Sequence, residues 1–255
     1  MTRAEQERRR DLLSLLYLPW ALLVVAPVVV LSMITLGSLA VVVAWFSART
    51  AFWVGVAWCR LALLVNLTRV ELRGVEHARS DQGYVIVLNH LSHADVGAFY
   101  GWAPLQFRWV LKEELRRVPG LGWYCQAGGH IFVDRKNPAR AIASLNAARE
   151  RLQKEQMSVA IFAEGTRSLD GRLQPFKKGG FVMAQQLGLP ILPVSVSGSA
   201  MVQPARRLRL LPGRILLTVH PPIPPPAPGE EGLRQVMEQT RQAIRQGLNE
   251  WERGD

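Results

Sequence analysis

The stretch "YVIVLNHLSHAD", residues 84–95, decides how the chain is read. Its first part, "YVIVL" (84–88), is an unbroken apolar run of the length of a strand buried on both faces. The run stops at Asn89, and His90, His93 and Asp95 follow within a few residues. In α/β sheets, ligands gather outside the C-terminal ends of strands, so polar groups placed there are candidates for chemistry. The residues allow three readings. Asp95 can hold one imidazole nitrogen of His90 and leave the other free to take a proton. His90, His93 and Asp95 can be metal ligands. Or the segment is a turn with solvated side chains.

The same texture continues on both sides. "FRWVLK" (107–112), "HIFVD" (130–134), "VAIFAE" (159–164), "ILPVSVSG" (191–198) and "ILLTVHPP" (215–222) read as further strands. Helical patterns lie between them at about 138–155 and 177–188, the second ending at Gly188. Strands alternating with helices predict an α/β domain with a mostly parallel or mixed sheet flanked by helices. This domain is expected over residues 68–228. A proline-rich stretch, "HPPIPPPAPG" (220–229), leads into a final amphipathic helix over 229–255. Its apolar positions are Leu233, Val236, Met237, Ile244, Leu248 and Trp251.

Residues 1–67 have a different character. Leu12 to Ala48, 37 residues, contain no Asp, Glu, Lys, Arg or His. One membrane span needs roughly 20 apolar residues, so the run is too long for one span and close to two short ones. Pro27 predicts a kink, and Thr35, Gly37 and Ser38 predict a turn. Arg3, Arg8, Arg9 and Arg10 precede the run, and Arg49 and Arg60 follow it. Basic flanks at both ends suggest a hydrophobic helical membrane hairpin with both ends on the cytoplasmic side. A third apolar stretch, "TAFWVGVAWCRLALLV" (50–65), is interrupted by Arg60 and reads as an interfacial helix.

Net charge is +11, from 31 basic and 20 acidic residues. Such an excess suits nucleic acid, an anionic membrane surface or anionic substrates; the long apolar run favours the last two. "ARRLRLLPGR" (205–214) reads as an interfacial patch on anionic lipid. Cys59 and Cys125 are the only two cysteines and form no CxxC, so neither a disulfide framework nor a zinc–cysteine site is expected. A reducing, cytosol-facing domain fits.

Two further motifs sit at strand ends. In "FAEGTRS" (162–168), Glu164-Gly165-Thr166-Arg167 combines a residue that permits a tight turn with a guanidinium able to grip a phosphate bidentately. In "GGHIFVDR" (128–135), Arg135 lies just past a strand. Lys112, Lys177 and Lys178 add cations near the same inferred edge. Each alone is an ordinary surface charge; together they suggest a phosphate-binding floor. No GxSxG offers a protein nucleophile, so a base here would activate a substrate hydroxyl.

Taken in order, "NHLSHAD", "GGHIFVDR", "FAEGTRS" and "LPILPVSVSG" resemble the four motifs of the glycerolipid acyltransferase family, the lysophosphatidic acid (1-acylglycerol-3-phosphate) acyltransferases. The resemblance covers about residues 70–222. It implies transfer of an acyl group from acyl-CoA or acyl-carrier protein to the sn-2 hydroxyl of a lysophospholipid, with no acyl-enzyme, no metal and no further cofactor. The motif histidine and aspartate fall on His90 and Asp95. The phosphate-binding residues fall on Lys112, Arg135, Glu164, Gly165, Thr166 and Arg167, and the fourth motif's proline on Pro193. His93 sits at a variable position and is not carried over. The partners implied are the lysolipid, the acyl donor and membrane lipids, with no nucleic acid. The location implied is the inner membrane with the catalytic domain on the cytoplasmic side. An acceptor such as lyso-ornithine lipid would fit the same motifs, and a metal-dependent hydrolase built on His90, His93 and Asp95 is the rival chemistry.

Overall fold

The computed structural model describes residues 3–254 except 119, 135, 136, 138, 139, 141, 142, 145, 146, 151, 153, 154, 156 and 206–208, and no side chain before residue 8. Among the described residues, seven strands form one sheet: β1 (Thr68–Arg73), β2 (Val85–Leu88), β3 (Phe107–Lys112), β4 (Ile131–Val133), β5 (Ser158–Phe162), β6 (Ile191–Ser197) and β7 (Gly213–Val219). Their spatial order is β1-β7-β6-β2-β5-β3-β4. Every pairing is parallel except β6 with β7. The sheet is therefore mixed and mostly parallel, as the sequence implies. β1, "TRVELR", alternates charge with apolar residues as an edge strand does, and the sequence reading did not mark it.

The central strands explain the apolar runs. All four residues of β2 and all seven of β6 are buried. Alternation along β2 divides the core in two. Ile86 and Leu88 join Phe99, Phe107, Trp109, Val194 and Ile215 on one face; Val85 and Val87 join Ile131, Val159, Phe181 and Ile244 on the other. Parallel pairing of β2, β5 and β3 places Leu88, Phe162 and Lys112 toward the same edge of the sheet.

The N-terminal helices are α1 (Arg3–Trp20) and α2 (Ala26–Phe46), joined by a π-helical turn, Ala21–Val25. Pro27 cannot donate to the helix ladder, and the widened turn before it absorbs the mismatch without a break. The turn expected at Thr35–Ser38 is absent. Thr35 Oγ1 donates to the Leu31 carbonyl at 3.0 Å, satisfying its hydroxyl within the helix. The break comes instead at Ser47, whose backbone is extended and whose Oγ accepts from the Thr50 amide at 3.1 Å, capping α3 (Ala48–Val65). Two stretches, Arg8–Phe46 and Ala48–Val65, are long and apolar enough to cross a membrane.

These two stretches are not equivalent. The apolar window of the first is 6% buried, that of the second 33%. Phe52, Val56, Cys59 and Leu63 of α3 belong to the same core cluster as β2 and β3. One face of the third apolar stretch thus packs into the core, while Trp53 and Leu64 are exposed. α1 is tied to the body as well. Tyr17 donates to the Asn66 carbonyl at 3.0 Å, and Trp20 Nε1 to the Val65 carbonyl at 3.0 Å. Arg209 pairs with Asp11 at 2.7 Å and is 10% exposed, so this member of the expected basic patch faces α1. Residues 206–208 of that patch lie outside the described residues.

Among the described residues, four short helices follow in the sheet domain: α4 (Ala94–Trp102) and α6 (Gly179–Leu187), packed on opposite faces of the sheet, and α5 (Leu121–Ala127) and α7 (Ser199–Val202). α6 ends at Gly188 in the left-handed region (φ 66°), the terminator read from the sequence. Half of the helix expected over 138–155 lies outside the described residues; those described at 140, 143, 144, 147–150 and 152 are helical. The last expected helix is split. α8 (Glu230–Gln246) stops before Asn249, which caps a separate turn, α9 (Glu250–Arg253), with a reciprocal capping box to Glu252.

Candidate active site

The site begins where β2 ends. Asn89 continues the sheet with its side chain: Nδ2 donates to the Val196 carbonyl at 2.9 Å, and Oδ1 accepts from the Val196 amide at 2.8 Å. Both partners lie on β6, so Asn89 fixes where the chain leaves the sheet. His90 then turns outward. Its Nδ1 lies 2.8 Å from Asp95 Oδ2, and the same oxygen accepts the Leu91 and Ser92 amides at 2.7 and 2.8 Å. Asp95 is fully buried in the first turn of α4, where the helix dipole favours a carboxylate. Ser92 Oγ accepts the Ala94 amide and donates to the Gln203 carbonyl, pinning the turn.

This geometry selects a tautomer. An acceptor oxygen at Nδ1 requires a proton there, which leaves the Nε2 lone pair available. Among the described residues Nε2 has no hydrogen-bond partner. The His90 ring stacks on Phe162 at 3.8 Å and 12°, and Phe162 stacks on Trp109 at 5.1 Å and 18°. Asp95 therefore sets the rotation of the imidazole and Phe162 sets its plane.

Glu164 holds the backbone around His90. Oε1 accepts the His90 amide at 2.7 Å and Oε2 the Gln174 amide at 3.1 Å, while the Ser168 amide donates to the His90 carbonyl at 2.8 Å. Glu164 is thus a brace between two loops. Burial pushes its carboxyl up to about 8, against the opposing pull of those two amides. Between the ordinary carboxylate range and about pH 8 the folded state holds a proton that the unfolded state has lost. Stability therefore falls as pH rises through that window, by at most about 1.4 kcal/mol per pH unit for one group. Urea unfolding at pH 5 and pH 8 is expected to show a smaller pH difference for Glu164→Gln than for the wild type. Equal differences would contradict the protonated brace.

Gly165 has φ 71°, and a Cβ there would sit 3.0 Å from Lys177 Cδ. The lysine stem thus lies over the glycine, and the Lys177 amide donates to the Ala163 carbonyl at 2.8 Å. Arg167 is half-buried and close enough to His93 that its charge, after burial, helps lower the His93 pKa. Thr166 is exposed, and Lys112 is exposed at the end of β3 on the same sheet edge. Arg135 lies outside the described residues.

The structure thus joins His90, Asp95 and Glu164 directly, and sets Gly165 and Arg167 in the adjoining loop. Among the described residues no group of three or more His, Cys, Asp and Glu side chains is placed to hold a metal ion; His93 is exposed, at the N-terminal cap of α4. Sequence reasoning missed Asn89, Phe162 and Gln174. Asn89 had a visible signal, a polar residue directly after a run of buried ones. Phe162 had none, because its alternation within "VAIFAE" marks only a strand.

A mostly parallel α/β sheet thus carries a carboxylate-held histidine at a strand end, with a glycine–arginine loop beside it. The chain belongs to the acyltransferase family, whose model matches residues 69–197. Among its relatives, the 1-acyl-sn-glycerol-3-phosphate acyltransferase alpha of Bos taurus is 35% identical over 156 residues, 61% of this chain and 54% of the relative. The chain thus spans about half the length of that relative. An uncharacterized acyltransferase of Schizosaccharomyces pombe is 32% identical over 76% of this chain and 70% of its own length. The crystal structure of the 1-acyl-sn-glycerophosphate (LPA) acyltransferase from Thermotoga maritima superposes with a TM-score of 0.76 at 27% identity, covering 93% of this chain and 95% of that one.

Proposed function

We propose that the protein transfers a fatty acyl group from a thioester donor, acyl-CoA or acyl-carrier protein, to the sn-2 hydroxyl of lysophosphatidic acid, giving phosphatidic acid. The observation that carries this reading is the 2.8 Å contact of His90 Nδ1 with Asp95 Oδ2, which leaves Nε2 as a free base. His90 Nε2 takes the hydroxyl proton as the acceptor oxygen attacks the thioester carbonyl. The new C–O bond forms, the C–S bond breaks, and the leaving thiolate takes the proton back from His90. Asp95 stabilises the imidazolium formed on the way. Arg167, with Lys112 and Lys177, binds the acceptor phosphate and brings the hydroxyl to His90, a positioning effect worth much of the rate.

In this reading α1–α2 and α3 together form the membrane anchor: Tyr17 and Trp20 of α1 bond to Asn66 and Val65 at the end of α3, so the chain leaves and returns on one side. The lysolipid tail stays in the bilayer while its head group reaches the site. This is consistent with an inner-membrane enzyme whose catalytic domain faces the cytoplasm, where the donors are. Detergent-purified protein incubated with labelled oleoyl-CoA, or acyl-carrier protein charged with the same chain, and a panel of lysolipids tests the reading. Transfer to lysophosphatidic acid above all others supports it. Transfer only to a phosphate-free head group, such as lyso-ornithine lipid, changes the acceptor; donor hydrolysis alone overturns the transferase.

Arg167→Ala supplies a second check. Loss of one charge-assisted contact, about 1.5–3 kcal/mol, corresponds to a rise of about 10- to 100-fold in KM for the acceptor. KM for the acyl donor is expected to hold. Equal increases in both would place Arg167 elsewhere.

A further inference from the structure

The C-terminal helices lie beyond residue 197, where the family match ends, yet they reach both sides of His90. Glu252 in α9 is 2% exposed. Its carboxylate accepts Ser197 Oγ at 2.5 Å, the Gly198 amide at 2.7 Å and the Asn249 amide at 3.3 Å. Ser197 and Gly198 directly follow Val196, the residue that Asn89 grips from the start of the His90 turn. On the other side, the Glu252 carbonyl accepts the Leu173 amide at 2.8 Å. The next residue, Gln174, donates its amide to Glu164, and Glu164 holds the His90 amide.

Neighbouring contacts reinforce this second side. The Arg172 guanidinium lies over the Trp251 ring at 4.3 Å, and Arg241 of α8 donates to the Gln174 carbonyl at 2.8 Å. Residues 172–174 are therefore held between Glu164 and the C-terminal helices. A surface helix could dock on the sheet through its apolar face alone. A buried carboxylate and an adjacent carbonyl aimed at two separate loops are not needed for that, and an ion of this kind is costly to bury without such partners.

We propose that the Glu252 side chain is a positioning group that holds the Ser197–Gly198 loop beside His90 against the C-terminal turn, whose backbone carbonyl at residue 252 holds Leu173 of the opposite loop, and thereby sets the geometry in which the lysolipid is held. The proposal rests on the acyltransferase reading for its kinetic arm only. It predicts that the C-terminal helices tune acceptor use and leave donor binding alone.

The test compares Glu252→Ala, Glu252→Gln and Ser197→Ala in the full chain. Glu252→Gln keeps an acceptor for the Gly198 amide and a donor for Ser197 Oγ. With lysophosphatidic acid and oleoyl-CoA, Glu252→Ala is expected to lower kcat/KM for the acceptor by about 10- to 100-fold, the scale of a small misplacement of reacting groups. KM for the acceptor rises, KM for the donor holds, and Glu252→Gln restores most of the loss. Amide hydrogen exchange without substrates is expected to speed up in Glu252→Ala at Gly198, whose amide loses Glu252 Oε1, and at Val196, whose amide Asn89 holds, while Leu173, bonded to the backbone carbonyl of residue 252, keeps its protection. A purely structural role would lower kcat in step with the folded fraction and leave both KM values alone; that result overturns the proposal, as does unchanged exchange at Gly198 and Val196. If Glu252→Ala does not fold, Ser197→Ala carries the test, with a smaller shift in the same direction expected and an unchanged acceptor KM overturning it. If the wild type acylates no acceptor, the function reading fails by itself and the exchange data alone decide the clamp.

Discussion

His90→Ala is expected to lower kcat for acyl transfer by about 10²–10⁴-fold, the usual contribution of a positioned general base. The fold should survive the change. The His90 side chain is 14% exposed, at the rim of the sheet, and the groups that shape the turn do not depend on the ring. Asp95 Oδ2 keeps the Leu91 and Ser92 amides, and Glu164 keeps the backbone amide of residue 90. The removed ring leaves one face of Phe162 open, at a cost in packing that is small beside the catalytic loss. Circular dichroism and the thermal midpoint should stay near those of the wild type while product formation collapses. Wild-type turnover in this variant would remove the base from the mechanism.

Asp95→Asn is expected to cost nearly as much, on the order of 10²–10⁴-fold in kcat, because it removes the charge that stabilises the imidazolium. An asparagine oxygen can replace Oδ2 toward the two backbone amides and His90 Nδ1, so the turn can be kept. Its amide group then falls where Asp95 Oδ1 lies, buried and with no hydrogen-bond partner among the described residues. Two unsatisfied donors there cost about 1–3 kcal/mol of stability each at most. The two variants separate cleanly. His90→Ala affects rate alone, whereas Asp95→Asn affects rate and stability together. Unfolding midpoints with matched kinetics check this; a destabilised Asp95→Asn with normal kcat would reduce Asp95 to a brace of the Leu91–Ser92 turn.

The parts of the fold written in local pattern were legible. "YVIVL" and "ILPVSVSG" are buried on both faces, so their apolar runs carry the strand signal without tertiary context. Gly188 terminates a helix by its own backbone freedom. The turn in the N-terminal helices was not legible, because Thr35 and Ser38 read as breakers in sequence, while the hydroxyl of Thr35 finds a carbonyl within the helix. A single serine cap at Ser47 makes the break instead.

The site shows the same division. His90 and Asp95 are close in sequence, and Glu164 stands beside a turn-forming glycine, so each left a local mark. Glu164 as a brace, Phe162 as a stacking plane and Glu252 as a clamp depend on contacts between residues 54 to 79 positions apart. No periodicity encodes such contacts. In the basic stretch 205–214, Arg209 pairs with Asp11 of α1, a contact that no local pattern encodes.

The most direct measurement is positional. The wild type is incubated with 1-acyl lysophosphatidic acid and a labelled acyl thioester, and the product is digested with a phospholipase specific for the sn-2 ester. The expected result is labelled phosphatidic acid whose label is released entirely by that digestion, and no labelled lipid product from His90→Ala. Label appearing only as free fatty acid before digestion, or equal labelling by His90→Ala, would contradict acyl transfer driven by His90.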